Sequence, residues 1–267
     1  MPIQDNHLRD LFNINVRQAS EWPGMRCEAL PDLVRFLGLD ADSDASYISW
    51  SQLTPDTADA AIERQVSFFR GRSSRFEWVV HTHDQPPDLG ARLEAHGFVK
   101  SDDPGSDMVV DLDDLPQEIW NLDTSMIRRV TTPEEIDAVI AMENEVWKMD
   151  LSRVGRSLKR DLEKTPERVS ILAIFKGTQV VSAAWSFYLV PEVFVGLYGG
   201  STGAEYRHRG YYHGLLTARA REALERGYRY LYVDAGPESQ PILSSLGFQC
   251  LGVATCYDWK PEPEQVH

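Results

Sequence analysis

The chain has 267 residues, of which 42% are hydrophobic, and it carries a formal net charge of −14 at pH 7. This length allows one large domain or two of about 130 residues. The acidic excess argues against nucleic acid and anionic membrane surfaces as partners; it either draws in cationic ligands such as amines or does no more than keep the protein in solution.

In the first half of the chain, hydrophobic periodicity predicts three helices and two strands. The helices cover residues 5–21, 57–69 and 88–96, and the strands cover residues 76–80 and 108–112. Residues 40–46 form an acidic loop. The polar run 113–117 contains Pro116, which breaks regular structure, so we predict a linker there.

A second series of elements begins near Ser125. Thr132, Pro133 and Glu135 have the order of an N-cap, a first turn and a third helical position, which predicts a helix from Pro133 to about Trp147. Two more helices cover residues 157–164 and 237–246, and another ends at residue 226. The predicted strands cover residues 126–130, 170–175, 179–189, 193–201, 230–234, 248–253 and 255–259.

The two halves show the same order of local patterns. In each, a strand is followed by a helix and then by a Gly-Phe pair, at residues 97–98 and at residues 247–248. This likeness predicts a degenerate duplication with units at residues 1–115 and 125–260, although any α/β chain can show such coincidences.

The three cysteines, Cys27, Cys250 and Cys256, are few and odd in number and show no metal-type spacing, which favours a reducing, cytoplasmic setting. The first residues lack the basic and apolar regions of a signal peptide, and no run approaches the roughly 18 apolar residues of a membrane span. The segment His81-Thr82-His83-Asp84 has no third distant ligand, so we predict no metal site there.

The segment Thr202–Leu216 follows a predicted strand and opens a predicted helix. The first amides of a helix lack partners within it, and the helix dipole adds partial positive charge at that end. Gly210 lets the backbone approach a ligand, while Arg207, His208 and Arg209 add charge beside it. This strand–turn–helix unit predicts a pyrophosphate-binding site.

The loop resembles the Q/R-x-x-G-x-G/A signature of the GNAT N-acetyltransferase superfamily, with the residues Arg207-His208-Arg209-Gly210-Tyr211-Tyr212. The order of elements over residues 125–260 is also similar to that family. The resemblance implies an α/β (α+β) fold with a mixed, mostly antiparallel sheet, splayed in the middle and flanked by helices. It implies a tandem of two GNAT-like units, and the N-terminal one is degenerate because it lacks a matching loop.

The resemblance further implies that acetyl-CoA is the co-substrate. Its pantetheine arm would pair with the backbone of Gly200, Ser201 and Thr202 at the end of a strand. Its pyrophosphate would bind the loop and the helix start, at Arg207, His208, Arg209, Gly210, Tyr211, Tyr212 and His213. Ser239, near the start of the last helix, is a further predicted contact.

Three positions depart from the family pattern. Tyr212 stands where the signature has Gly or Ala, and its larger side chain narrows the space for the ligand. The side chain can nevertheless point outward while the backbone amide of Tyr212 binds phosphate. Gly196 stands where many members have a glutamate general base, and Leu243 stands where many have a tyrosine general acid.

Other side chains are therefore candidates for the proton transfers. Tyr198 shares a strand face with Gly196, so it can donate to the thiolate or to a water, or it is an aromatic of the cleft wall. Glu145 can bind the acceptor ammonium or act as a base. Tyr257 can reach the cleft from the final strand, or it packs against a helix. We expect Glu143 to lie on a solvated helix face.

The sequence thus predicts an acetyl-CoA-dependent N-acetyltransferase whose acceptor is a small-molecule amine, with neither nucleic acid nor a membrane as partner. One alternative is a non-catalytic acyl-CoA-binding or interaction module, which the absent glutamate and tyrosine favour. Another is an α/β protein that binds a different phosphate ligand, such as a nucleotide. The resemblance also allows a homodimer.

Overall fold

Twelve strands form one continuous sheet in the computed structural model, which describes residues 6–39 and 46–261. The strands are β1 (Met25–Ala29), β2 (Leu33–Gly38), β3 (Ser46–Ser51), β4 (Phe76–His81), β5 (Val99–Lys100), β6 (Gly105–Asp111), β7 (Ile127–Arg129), β8 (Val169–Lys176), β9 (Gln179–Tyr188), β10 (Phe194–Thr202), β11 (Tyr230–Ala235) and β12 (Gln249–Trp259). The helices are α1 (Asn6–Phe12), α2 (Ala58–Arg70), α3 (Leu89–Ala95), α4 (Gln117–Trp120), α5 (Pro133–Trp147), α6 (Ser152–Lys164), α7 (Tyr211–Glu225) and α8 (Gln240–Ser245). A π-helical segment, Asn13–Gln18, extends α1, and 3₁₀ turns cover Leu112–Asp114 and Ala204–Tyr206.

The order of strands across the sheet is β1-β2-β3-β4-β12-β6-β11-β10-β9-β8-β7, and the short β5 pairs with β12 beside this path. The neighbours β3–β4 and β10–β11 are parallel. The other paired strands of the described residues are antiparallel. This confirms the predicted mixed, mostly antiparallel sheet with helices on its faces.

The two halves of the chain are interleaved at the centre of the sheet. Strand β6, from the first half, pairs with β11 and β12 of the second half, and β12 in turn lies between β6 and β4. The backbone hydrogen bonds of these strands therefore join the two halves of the chain within one sheet. The division into units at residues 1–115 and 125–260 stays a prediction.

Two segments near the ends of the halves differ in detail from the sequence pattern. The predicted linker at residues 113–117 is a 3₁₀ turn followed by the first residue of α4, and Leu115 and Ile119 are buried beside it. The last two predicted strands form the single strand β12, which a register shift between Cys250 and Gly252 bends without interrupting.

Strands β1, β2 and β3 are not predicted by the sequence pattern. Residues 33–37 of β2 are all buried, and they include the charged Arg35, so the strand shows no alternation of apolar and polar residues. Residues 40–45 of the predicted acidic loop lie outside the described residues, and Ser46 begins β3.

Helix α5 begins as its sequence predicts. Thr132 Oγ1 accepts a hydrogen bond from the amide of Glu135 at 3.3 Å, and the Glu135 carboxyl accepts one from the amide of Thr131 at 2.9 Å. These bonds satisfy amides that have no partner within the helix. The buried face of α5, with Ile136 and Val139, packs against β8 and β9.

Separate apolar cores lie on the two halves of the sheet. In the first half, Phe69 of α2 stacks on Phe76 of β4 with ring centroids 4.0 Å apart. In the second half, Leu216 of α7 packs among apolar residues of β6, β10 and β11. No helix of the described residues is long and apolar enough to cross a membrane.

The interleaving of β6 and β12 predicts that both halves unfold together. Phe69→Ala and Leu216→Ala each truncate a fully buried side chain, so each should lower the free energy of unfolding by about 3 kcal/mol. Urea unfolding, followed by circular dichroism and by tryptophan fluorescence, should give one transition that moves in both variants. Two transitions, each responding to a single variant, would show that the halves unfold independently.

Candidate active site

The parallel strands β10 and β11 separate in the middle of the sheet. Their pairing joins residues 194–196 to residues 230–232, and beyond this point β10 follows β9 while β11 follows β6. A bulge turns β10 further. It requires Gly199, whose φ is 57° and whose missing side chain leaves room for the ring of Trp185. The strand ends therefore enclose a gap, which we call the cleft.

Helix α7 begins shortly after β10, beside the cleft. Its N-cap is Gly210, with a φ of 79° that favours glycine. The first helical amide that bonds back to this turn is that of Gly214, which donates to the Gly210 carbonyl at 2.9 Å. The amides of Tyr211, Tyr212 and His213 precede it, so they lie at the open helix start, where the dipole favours an anion.

Two arginines flank this helix start. Arg207 Nε donates to the Thr202 carbonyl at 3.4 Å, and the Arg209 guanidinium donates to the Glu205 carbonyl at 3.2 Å. Both side chains are exposed, as is His208 between them, and neither arginine forms an ion pair with another described residue. Their charges therefore remain available to an anion at the helix start.

The cleft is bordered on its other side by the start of α8. Ser239 is the N-cap of α8, and its Oγ donates to the Gly236 carbonyl at 3.2 Å. Because β10 and β11 are parallel, their carboxyl ends meet at the same edge of the sheet. The structure thus brings Ser239 and the loop before α7 to the same edge. The β10 wall of the cleft ends in Gly200, Ser201 and Thr202.

The side chain of Tyr212 turns inward rather than outward. A Cβ atom built at Gly200 would lie 3.2 Å from Cε2 of Tyr212 and 3.7 Å from the Arg219 guanidinium, so the ring covers the end of β10. Burial raises the pKa of the Tyr212 hydroxyl and lowers the pKa of Arg219. The prediction that the Tyr212 side chain can point outward is therefore wrong.

A cavity of about 610 Å³ opens between the two halves, on the face of the sheet that α5 and α6 cover. Its lining includes an aromatic cluster of Trp22, Phe187 and Tyr198, whose rings pack edge to face with centroids 5.6 to 6.1 Å apart. Tyr232 lines the cavity as well. The cavity therefore reaches the point where β10 and β11 separate.

Two phenols lie at this point of separation. The hydroxyls of Tyr198 and Tyr232 are hydrogen-bonded at 3.3 Å. A Cβ atom at Gly196 would lie 2.8 Å from the Tyr232 hydroxyl and 2.9 Å from the ring of Tyr198, so the phenols occupy the space beside this glycine. Burial raises the pKa of Tyr232, which keeps its hydroxyl protonated. Two phenol side chains thus occupy the place of an acidic side chain at position 196.

The His81–Asp84 segment begins with His81, which lines the cavity. His81 Nε2 is 3.0 Å from Asp107 Oδ2, and Asp84 accepts two hydrogen bonds from Arg17 at 2.7 and 2.9 Å. Burial lowers the pKa of His81, but the Asp107 and Asp84 carboxyls outweigh burial and raise it. Burial likewise raises the pKa of Asp84, but His81 and Arg17 hold it at about 2. Through these side-chain contacts, the segment links the end of β4 to Asp107 of β6 and to Arg17 of the π-helical segment.

No family model and no curated protein matches the sequence. Solved structures do match, over most of the chain. A GCN5-related N-acetyltransferase from Kribbella flavida has a TM-score of 0.64 at 16% identity, and the match covers 91% of each chain. A tandem GNAT protein from the clavulanic acid biosynthesis pathway has a TM-score of 0.57 at 15% identity, over 96% of this chain and 89% of that one. A GCN5-related N-acetyltransferase from Sphaerobacter thermophilus has a TM-score of 0.57 at 14% identity, over 87% and 81%.

The chain has the GNAT fold. The matched structures share the arrangement of strands and helices, and their low identity to this chain extends the likeness no further than the fold. Within this GNAT fold, the three predicted catalytic residues lie apart. Tyr198 lies at the junction of cleft and cavity. Glu145 is exposed on α5, outside the cavity lining. Tyr257 is buried in the core of the first half, where its hydroxyl fills the space beside Gly90 of α3.

Glu143 is buried in the GNAT fold, so the prediction of a solvated side chain is wrong. It is fully inaccessible, and its Oε2 accepts a hydrogen bond from Trp147 Nε1 at 2.9 Å. The same Nε1 lies 3.0 Å from Ser201 Oγ at the end of β10. Burial raises the pKa of Glu143 to about 7, against the opposing effect of the bonds from Ser201 and Trp147. The helical spacing of Glu143 and Trp147 is the sequence signal for this contact.

The buried carboxyl of Glu143 predicts a difference in pH dependence between variants. In the unfolded chain this group ionises near the ordinary glutamate pKa of 4.5, whereas in the folded protein it keeps its proton to about pH 7. The unfolded state therefore binds fewer protons between these values, and stability falls as pH rises through them. Glu143→Gln removes this loss: its free energy of unfolding should match that of the wild type near pH 4 and exceed it by up to about 3 kcal/mol at pH 8.

Urea unfolding of both proteins across this pH range measures the difference. Glu145→Gln is the matched control, because it changes an exposed carboxyl two residues away on the same helix. A gap between wild type and Glu143→Gln that stays constant from pH 4 to pH 8 would contradict the raised pKa.

Proposed function

We propose that this protein is an acetyl-CoA-dependent N-acetyltransferase that moves the acetyl group to the amine of a small molecule. The observation that carries the proposal is the junction of the cleft with the open start of α7. Past residue 196, none of the described strands pairs with β10 on its cleft side, so its backbone can pair with an extended ligand. The helix start offers amides and positive charge to a pyrophosphate.

The residues around the cleft fit the parts of acetyl-CoA. Its amide-bearing arm would lie along the backbone of Gly200, Ser201 and Thr202. Its pyrophosphate would be held at Arg207, His208, Arg209, Gly210, Tyr211, Tyr212 and His213, with Ser239 as a contact from the start of α8. The inward ring of Tyr212 forms a side of this binding site next to Gly200, and its backbone amide stays at the helix start.

The acceptor would enter from the cavity, which lies on the face of the sheet opposite to α7. In the transfer, the amine nitrogen forms a bond to the acyl carbon and the bond from that carbon to sulfur breaks. The nitrogen attacks as the neutral amine and then releases a proton to water, and a proton reaches the sulfur, so that the products are the amide and the free thiol. Tyr198, hydrogen-bonded to Tyr232, lies where the cleft meets the cavity, and we assign it the donation to sulfur. A thioester is already reactive, so positioning supplies much of the rate.

A second function is a non-catalytic acyl-CoA-binding module. Two observations favour it: Gly196 carries no base, and Leu243 is buried in the core of the second half rather than facing the cleft. The two functions share the cleft and differ in turnover, because a binding module would hold acetyl-CoA without consuming it in the presence of an amine.

Calorimetric titration with acetyl-CoA tests the site itself. Arg209→Glu places a negative charge beside the helix start, and Gly210→Asp adds another while straining a backbone that favours glycine. We expect the double variant to bind acetyl-CoA at least about 100-fold more weakly than the wild type. Lys100→Glu is the control, since it also reverses an exposed charge but lies on β5 in the first half.

Wild-type binding that is lost in the double variant and kept in the control would support the site. The absence of binding by a folded wild type would overturn the proposal. If ATP competes with acetyl-CoA for the same site at equal affinity, the loop is a general phosphate site instead.

Tyr198→Phe tests the assignment of the sulfur donor. Removing this hydroxyl should lower kcat by about 100-fold and leave the dissociation constant of acetyl-CoA unchanged, because the group acts in the transfer and not in binding. The measurement is acetyl-CoA-dependent release of free thiol with an amine acceptor. Tyr257→Phe is the matched control, since it removes a hydroxyl that lies in the core of the first half. Equal kcat values in the two variants would refute the assignment.

A further inference from the structure

Two carboxyl groups lie side by side in the wall of the cavity. Asp107 of β6 and Asp234 of β11 are direct partners in the antiparallel β6–β11 ladder, so their side chains point to the same face of the sheet. Both line the cavity. Asp234 forms no hydrogen bond or ion pair with another described residue. Adjacent carboxylates repel each other, and His81, whose Nε2 lies 3.0 Å from Asp107 Oδ2, offsets part of this repulsion.

Asp107 is also poorly satisfied, although it is deeply buried. Its side chain is 8% exposed, and His81 Nε2 lies 3.0 Å from its Oδ2 without a well-directed hydrogen bond. His81 is 5% exposed and lines the cavity, and its Nδ1 faces Asp84 Oδ2 at 3.7 Å. Buried polar atoms are normally hydrogen-bonded, so the incompletely bonded Asp107 carboxyl, which lines the cavity, can accept a further donor there.

The backbone holds the Asp234 carboxyl in place beside Asp107. A Cβ atom at Gly105 would overlap this carboxyl, so the missing side chain lets Asp234 lie against β6. Burial and the charge of Asp107 raise the pKa of Asp234 to about 6. The Asp234 carboxyl also affects Cys256 of β12. Burial, together with the charges of Glu77 and Asp234, raises the pKa of its thiol to about 12. This wall of the cavity therefore presents a pair of carboxyl groups, while Arg17, Arg75, Arg153 and Arg160 line other parts of the cavity.

The carboxyl pair lies close to the point of acetyl transfer proposed above. Asp234 follows Tyr232 by two residues on β11, so both side chains lie on the same face. Tyr232 is hydrogen-bonded to Tyr198, where the strands separate. The aromatic cluster, which includes Tyr198, lines the cavity beside them. A molecule in the cavity can therefore contact a negative group and an aromatic surface together.

We propose that the acceptor is a primary amine on an aromatic or other apolar body, and that Asp234 and Asp107 bind its ammonium group in the cavity. The proposal rests on the proposed acetyl transfer and specifies its acceptor. The ammonium donates to the two carboxylates and reduces their repulsion, while the aromatic cluster contacts the apolar body. Before transfer, the ammonium gives one proton to a carboxylate of the pair or to water, because only the neutral amine has the electron pair that attacks the acyl carbon. The arginines Arg153 and Arg160 line the cavity from α6, where Arg160 pairs with Asp161 at 2.8 Å, so they lie on a different element from the carboxyl pair.

The site is built by both halves of the chain. Asp107 lies on β6 of the first half, and Asp234 lies on β11 of the second. His81, beside Asp107, is at the end of β4. The interleaved strands are thus what brings the ammonium site next to the cleft.

The experiment compares amine recognition in Asp234→Asn, Asp107→Asn and Asp113→Asn. Asp113 is exposed in the 3₁₀ turn outside the cavity, so its variant removes the same charge without touching the site. The probes are 2-phenylethylamine, tryptamine and 4-phenylbutylamine, with 2-phenylethanol as the uncharged analogue. Calorimetry measures binding of each probe, and thiol release measures KM and kcat with acetyl-CoA.

We expect the wild type to bind at least one of these amines and to bind 2-phenylethanol at least about tenfold more weakly. Asp234→Asn and Asp107→Asn should raise KM for the amine at least tenfold, with the dissociation constant of acetyl-CoA unchanged. Asp113→Asn should behave as the wild type. Gly105→Ala keeps every charge but displaces the Asp234 carboxyl, so it should raise KM in the same direction.

The outcomes separate this inference from the proposed function. If acetyl-CoA binds but none of the three amines binds or is acetylated, the inference is overturned and the cofactor site stands. Equal KM values in Asp234→Asn and Asp113→Asn would also overturn it. If acetyl-CoA does not bind, the proposed function fails, while amine binding that Asp234→Asn abolishes would still support the ammonium site. Thermal unfolding of every variant checks that loss of binding does not reflect loss of the fold.

Discussion

The candidate site depends on the short parallel pairing of β10 and β11. Each strand keeps an antiparallel partner on its outer side, β9 for β10 and β6 for β11, so the two can diverge without losing most of their hydrogen bonds. The bulge at Gly199 makes the divergence larger, and the ring of Trp185 occupies the room that this glycine leaves. Beyond Gly196 and Tyr232, the facing edges of β10 and β11 no longer pair with each other, which leaves the gap that we call the cleft.

The interleaving of β6 and β12 explains why a cavity forms behind the cleft. A strand of the first half borders β11, and the last strand of the second half borders β4, so the sheet continues across both halves. The helical segment before β1 covers the same face and contributes Phe12 and Arg17 to the lining. The continuous sheet brings side chains of both halves to one cavity, and we expect it to couple their stability.

The two faces of the cleft differ in charge. The start of α7 presents amides with Arg207 and Arg209, whereas the cavity wall presents Asp107 and Asp234. The chain has a net charge of −14, and its positively charged loop lies where the helix dipole adds to that charge. An anionic donor on one side and a cationic acceptor on the other would each meet the opposite charge, which supports a transfer reaction between them.

Local features explain what the sequence alone established. The loop from Arg207 to Tyr212, the glycine at the N-cap and the helix that follows are contiguous in the chain, so their spacing predicts an anion site before any fold is known. The GNAT fold was predictable for the same reason, because its elements follow one another in order. Strand β2 was not, since a strand buried on both faces has no alternating pattern.

The tertiary structure decided how distant residues meet. Asp107 and Asp234 carry no local signal, and they become neighbours because β6 pairs with β11. Glu143 shows an ordinary helical pattern, yet its contact with Trp147 and the nearby Ser201 buries it. Tyr257 lies far from Tyr198 because β12 follows β4 into the first half. The pairing of strands that are distant in sequence depends on which strand edges the complete fold leaves available. The periodicity of apolar residues along the chain does not predict those edges.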